Sequence, residues 1–251
     1  MTAPAIPALL SSLLAADAAR PLVTFYDDAT GERVELSVKS FANWVAKTAN
    51  LIRDGLCAEP GELLAISLPT HWQGAVWLCG AWSCGLVVTF DEAALADADY
   101  AVVGPDATLT GRAPQSTVVV SLRAMGAGLS APPPGGVVDF AAEVLGYPDD
   151  FAPAGVAAAN PALQTPEGIW TQERLIRHGT AVAAGLALGA APRLLTDANP
   201  CSLEGCGIAL LAPLVTGGGV VLVRHLDPAR VDARAVQERV TARSISAGVA
   251  R

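Results

Sequence analysis

Short, almost unbroken apolar runs recur along this chain and alternate with stretches of helical spacing, and no other feature restricts its fold as much. Residues 63–68 read Leu-Leu-Ala-Ile-Ser-Leu, 86–90 Leu-Val-Val-Thr-Phe, 117–122 Thr-Val-Val-Val-Ser-Leu and 220–223 Val-Val-Leu-Val. A strand without a polar face cannot border water, so such runs belong inside a parallel sheet covered by helices on both sides. Residues 37–54, 71–84, 171–188 and 203–215 supply the helices. In the first of these Phe41, Trp44, Val45, Thr48 and Ile52 recur at helical spacing, with Ser37 or Ser40 as cap. Strand and helix in alternation, joined by right-handed crossovers, give an α/β fold around a mostly parallel, doubly wound sheet.

Local signals place the breaks. Asp27-Asp28-Ala29-Thr30-Gly31 is a turn joining strands at 22–26 and 33–36 into a hairpin. Gly217-Gly218-Gly219 follows a helix and enters a strand, which makes it a C-cap and not a phosphate cradle. Asp227-Pro228 starts a helix to about residue 240, an N-cap acid followed by Pro at N1. Residues 245–249 predict one more strand. The Pro- and Gly-rich stretch 125–136 is a loop, and 148–161 is a second irregular stretch. The latter divides the chain into a first α/β subdomain, 1–155, and an incomplete second one, 156–251.

Composition narrows the function classes. Of 251 residues, 52% are hydrophobic and 16% charged, with mean hydropathy +0.42. That balance predicts a packed core and not disorder. No apolar run is long enough for a spanning helix. The first 19 residues lack a basic start and carry Asp17, so they read as an amphipathic helix and a cytoplasmic location is expected. Residues 1–150 hold 7 basic against 17 acidic side chains, and 151–251 hold 9 against 7. An acidic first half argues against nucleic acid or a membrane surface as partner. Arg230 and Arg234 share one side of a helix, read as a solvated face. Asp27-Asp28 and Asp149-Asp150 read as solvated loop acids. The five cysteines have no framework spacing; Cys79 and Cys84 read as core residues, and the Cys201–Cys206 gap stands without a second pair, so no metal site is expected. His71, His178 and His225 are scattered, with no nucleophile elbow, and read as structural.

Several segments carry a resemblance. Residues 33–56, with Leu36, Phe41, Asn43 and Leu51, follow the pattern T-Y-x-E-L-x-x-x-x-N-x-x-A-x-x-L. Gly61-Glu62-Leu63-Leu64-Ala65-Ile66-Ser67-Leu68-Pro69-Thr70 follows G-D-x-V-A-I-x-L-P-N, and residues 211–222 follow P-L-x-x-G-A-x-V-V-L. In that order they resemble the AMP-binding, acyl-CoA-synthetase-like (adenylate-forming) family, and in particular a group of short actinobacterial AMP-binding-like proteins. The resemblance implies the fold of that family's N-terminal domain without its last part and without the small C-terminal domain.

The family's phosphate loop has a degenerate counterpart in residues 162–175. In the family's T-S-G-T-T-G-x-P-K-G-V run, Pro166-Glu167-Gly168-Ile169 stands where P-K-G-V would be, with Thr171 and Gln172 at the places of its Ser/Thr and His. The glycines are gone and the lysine has become Glu167. A phosphate cradle needs close backbone N–H groups and positive charge, so this exchange reverses the local field. Thr165, Pro166 and Glu167 read instead as a helix start: N-cap, Pro at N1, acid in the first turn. Glu167 would then occupy the helix-dipole site once open to a phosphate, and Gln172 would be a surface residue. The family's aromatic-x-x-T-E motif, ribose-binding acid and C-terminal lysine have no counterpart. The expectation is a non-catalytic relic, with no catalytic residues and no cofactor, that binds a ligand or a protein partner. Two alternatives stand beside it. One is an assembly protein that forms homo-oligomers across an exposed sheet edge. The other is an atypical acyl-adenylate-forming enzyme, using ATP and magnesium, completed by another chain.

Overall fold

The computed structural model describes residues 4–95, 97–107, 117–153 and 155–246. The chain forms two mostly parallel sheets with helices between them and on their outer faces. The first helix, α1 (Ile6–Asp17), buries Ile6, Leu10 and Leu13 at helical spacing, as an amphipathic segment does. Strands β1 (Pro21–Asp27) and β2 (Glu32–Ser37) form the expected antiparallel hairpin. Ser37 caps α2 (Val38–Asn50), its side chain accepting from Ser40 N, and a π-helical turn, Leu51–Gly55, extends that helix. Next come β3 (Leu63–Ser67) and α3 (Trp72–Ser83). Then follow the short strands β4 (Val87–Thr89), β5 (Tyr100–Val103), β6 (Thr117–Val119) and β7 (Val138–Asp139), and α4 (Phe140–Val144).

The second half carries β8 (Pro161–Thr165), β9 (Gly168–Thr171), α5 (Gln172–Gly185) and β10 (Arg193–Thr196). Helix α6 (Leu203–Gly205) runs through a π-helical stretch, Cys206–Leu211, into α7 (Ala212–Thr216). Gly217 ends it at φ +69°, the left-handed C-cap that the glycine run predicts. Strand β11 (Gly219–Arg224), a 3-10 turn capped by Asp227, α8 (Val231–Gln237) and β12 (Ala242–Ser244) complete the described chain. The last strand lies at 242–244, earlier than the 245–249 read from the apolar run, of which 247–249 fall outside the described residues. Pairing with β10 sets its position: Leu194, Leu195 and Thr196 face Ala242, Arg243 and Ser244.

One sheet has the order β12-β10-β11-β1-β2, the other β7-β6-β5-β3-β4-β8-β9. All pairings are parallel except the two hairpins, β1–β2 and β8–β9, at one end of each sheet. The sheets are interleaved along the chain. β1 and β2 join strands from the second half, and β8 and β9 extend the sheet built by the first half. All twelve residues of α3 are buried, Trp72, Trp77 and Trp82 almost completely, and the helix touches strands of both sheets. A helix apolar all round is stable only inside a core, and α3 is the centre of this one. Smaller apolar clusters cover the outer faces: Ala101, Val103 and Val119 on one sheet, Leu195, Val221 and Val223 on the other.

Candidate ligand crevice and the degenerate loop

In open parallel sheets, ligands bind beyond the carboxyl ends of the strands, where loops fan out and the sheet leaves a crevice. Two cavities lie there. One, of about 490 Å³, is lined by the ends of β3 and β5 (Ser67, Leu68, Gly104) together with Ser121, Asn199 and Arg224. The other, of about 580 Å³, lies against Thr70, Asp197, Arg224, His225 and Ser246 at the ends of β10, β11 and β12. Arg224, the last residue of β11, lines both.

The polar groups around Arg224 are largely committed to fixing the loops. Asn199 Nδ2 donates to Leu68 O at 2.9 Å and so ties the loop after β10 to the end of β3. Thr70 Oγ1 donates to Asp197 O, and the Asp197 carboxylate accepts from Ser246 N at 2.9 Å. Asp27 pairs with His225 Nδ1 at 2.8 Å. Burial alone would raise the Asp27 carboxyl, but the His225 and Ala29 hydrogen bonds and the Arg224 charge hold it below the usual range. Among the described residues the Arg224 guanidinium itself makes no hydrogen bond or ion pair. A partly buried, uncommitted cation at the mouth of two cavities suits a small anion.

His71 lies under this site as the N-cap of α3, its Nδ1 accepting from Gln73 N at 3.3 Å. Burial, assisted by Arg224, pushes its pKa down to about 3, so the ring is neutral at physiological pH. With Nδ1 tied to the backbone it has no free lone pair and does not serve as a general base. Cys201 and Cys206 are buried, and burial pushes the Cys201 thiol up to about 12, away from the reactive thiolate.

The loop-like segment adopts a different structure from the helix start read from its residues. Thr165 ends β8, Pro166-Glu167 make a two-residue turn, and Gly168, at φ +121°, begins β9. Thr165 Oγ1 donates to Gly168 O across the turn. The same residues that start a helix also suit a Pro-initiated turn with Gly at its end, and the pairing of Leu163, Gln164 and Thr165 with β9 selects the turn. Glu167 is therefore exposed at a hairpin tip and does not occupy a helix dipole. The helix starts at Thr171, whose Oγ1 accepts from Arg174 N at 3.2 Å, with Glu173 in the first turn. The hairpin tip lies at the same end of its sheet as the crevice, but none of its residues lines either cavity.

Gln172 is not a surface residue. It is fully buried: Oε1 accepts from Ile6 N at 2.9 Å and Nε2 donates to Trp82 O at 3.0 Å. Helix α1 has no side-chain cap of its own, so Gln172 satisfies one of its orphan N–H groups from 166 residues away.

The charged turn and helix are also corrected. Asp28 accepts from both Arg234 nitrogens and from Asp227 N, with Arg230 at 3.7 Å. The Asp28 and Arg234 side chains are only 4% and 6% exposed, and Arg234 stacks over Tyr26 at 4.3 Å. Asp28 and Arg234, read from the sequence as solvated, form a buried ion pair that pins α8 to the turn after β1, whereas Arg230, Asp149 and Asp150 are exposed as expected. Glu238, paired with Arg33 and Arg193 at 3.0 Å each, fixes the other end of that helix. Arg224 escaped the sequence reading as a site residue. Its signal was a cation at the carboxyl end of an otherwise apolar strand.

Comparison with known proteins gives a consistent picture. No family model matches the chain. A TIGR03089 family protein of Mycobacterium tuberculosis is 38% identical over 242 residues, covering 93% of this chain and 95% of that one. A sulfoacetate–CoA ligase of Cupriavidus necator is 30% identical over 176 residues, covering 64% of this chain and only 35% of that enzyme. Among solved structures, an acyl-CoA synthetase of Brucella canis superposes with TM-score 0.73 at 15% identity, covering 94% of this chain and 47% of that one. The N-terminal domain of FACL13 from Mycobacterium tuberculosis superposes with TM-score 0.70 at 15% identity, covering 95% and 62%. The chain thus spans about half the length of a complete acyl-CoA synthetase. No described helix is long and apolar enough to cross a membrane.

Proposed function

The chain belongs to the TIGR03089 family and has the N-terminal fold of adenylate-forming ligases, and from that premise we propose that it is a non-catalytic adenylation-domain-like protein that binds a small organic acid. The acid's carboxylate or sulfonate meets the Arg224 guanidinium in the crevice at the strand ends. The observation that carries this reading is a contrast between two places. Where the ligases' resemblance puts a phosphate loop, this chain has a tight hairpin tip with Pro166, which lacks an N–H, and Glu167, which is anionic. Where the strand ends open, it has an uncommitted cation beside cavities of useful size.

The residues at the hairpin do not fit a triphosphate. Cradling one takes several converging N–H donors and positive charge, and this tip offers a carboxylate. Among the described residues neither cavity is lined by a cysteine or a lysine, and His225 is already bonded to Asp27, which supports binding without turnover. That one relative is named a sulfoacetate–CoA ligase supports a small, strongly acidic molecule as the ligand class.

Titration calorimetry with a panel of short carboxylates and sulfonates, AMP, and ATP with magnesium tests the reading. The expected result is binding of an acid that Arg224→Gln abolishes, with no heat from magnesium-ATP. Tight, magnesium-dependent ATP binding overturns it. Pyrophosphate release with any acid, alone or on adding co-purified proteins, would instead support an acyl-adenylate-forming enzyme completed by another chain.

A further inference from the structure

One edge of the seven-stranded sheet is strand β9, paired with β8 on one side and, among the described residues, with no strand on the other. Unpaired strand edges template further pairing unless they are blocked. This edge has no Pro or Lys within it. Ile169, at its centre, is 56% exposed. Its two ends carry opposite charge. Glu167 is exposed on the turn before β9, and Arg174 is exposed in the first turn of α5 after it. Neither makes an ion pair among the described residues, whereas neighbouring Arg177 is already paired with Glu173. The Arg174 guanidinium lies over the Trp170 ring, 4.1 Å from its centre, and Trp170 in turn packs edge-on against His178 at 5.4 Å. The cation therefore stands at a fixed place at the end of the edge.

We propose that β9 is a homodimer interface, in which a second copy adds its own β9 antiparallel about a two-fold axis normal to the sheet. The distribution of charge selects this occupant and this direction. With Ile169 opposite the partner's Ile169, Glu167 falls opposite the partner's Thr171, beside the partner's Arg174, and symmetry repeats the contact. A parallel copy would set like charges against each other at both ends. An isologous contact of this kind closes on itself, so it yields dimers and not filaments. The interface lies at the sheet edge and does not involve Arg224, so it stands or falls apart from the acid-binding reading.

Sedimentation equilibrium of the full chain at low and at moderate salt tests it. The wild type is expected to dimerise, more weakly as salt screens the exposed pairs. Glu167→Arg and Arg174→Glu are each expected to weaken the dimer by roughly tenfold, since both symmetric contacts turn repulsive. The double exchange is expected to restore it. Circular dichroism melts matching the wild type confirm that each variant folds. A wild type monomeric up to about 100 μM overturns the proposal, far above the affinity of specific complexes. So does a dimer indifferent to both single exchanges, or a double variant no better than the singles.

Discussion

Replacing Gln172 with Ala probes how a buried polar side chain joins the start of α1 to the core. Its side chain is fully buried and makes two hydrogen bonds: Oε1 accepts from Ile6 N and Nε2 donates to Trp82 O. The two losses are unequal. Trp82 O keeps a contact from Gly85 N at 3.3 Å, but Ile6 N, itself 1% exposed, loses its only described acceptor. One buried donor left unsatisfied costs about 1–3 kcal/mol. The void left by the truncated side chain adds roughly 1–2 kcal/mol. A total near 3 kcal/mol lowers Tm by roughly 6–12 °C for a chain of this size.

Gln172→Glu separates the two bonds. It keeps an acceptor for Ile6 N but offers Trp82 O a donor only when protonated. Burial raises such a carboxyl's folded pKa above the unfolded value of about 4.3. Its stability is therefore greatest below that value and falls as pH rises, so the deficit against wild type widens from pH 4 to pH 8. Urea titrations and calorimetric melts measure both effects. An Ala variant melting within about 2 °C of wild type, below the roughly 2–4 °C that a single kcal/mol produces, refutes this role for Gln172.

Other outcomes follow from the same geometry. His71, with a folded pKa near 3 against about 6.5 unfolded, contributes stability above pH 6.5 that is lost as pH falls, about 2–3 kcal/mol by pH 4.5. His71→Asn keeps the N-cap and should flatten the urea-measured stability between pH 4.5 and 6.5; an unchanged slope contradicts the neutral buried ring. Asp28→Ala strands the buried Arg234 and should cost about 3–5 kcal/mol, whereas adding Arg234→Leu should recover most of it. A double variant no more stable than the single, by chemical denaturation, argues against that account. At Gly179 a methyl group would stand 2.6 Å from Leu211 Cβ and 3.0 Å from Leu211 C. Overpacking against backbone, about 1–3 kcal/mol, outweighs the roughly 1 kcal/mol helix-propensity gain of Ala. Gly179→Ala should therefore melt below wild type, and a stabilised variant would show that α5 can shift.

The two-sided apolar runs at 63–68, 86–90, 117–122 and 220–223 were legible as buried parallel strands because that pattern has few other stable uses. Ser37, Gly217 and Asp227 were legible as caps because capping depends on a few adjacent atoms. Thr165-Pro166-Glu167 was misread for a related reason. A helix start and a Pro-initiated turn use the same local residues, and the partner strand at 168–171 decides between them. The interleaving of the sheets was not legible either, since no local signal says that β1 pairs with β11 and β4 with β8.

The sequence by itself determined the α/β class, the order of the elements, the carboxylate at Glu167 and the resemblance to adenylate-forming enzymes. These rest on periodicity, turn chemistry and residue identity, which act over a few positions. Only the tertiary structure decided that Gln172 caps α1, that Asp28 and Arg234 form a buried pair 206 residues apart, and that Arg224 stands uncommitted in the crevice. Whether a polar side chain is solvated, satisfied or free depends on what the fold brings against it. That is settled by contacts distant in the chain, where local sequence has no reach.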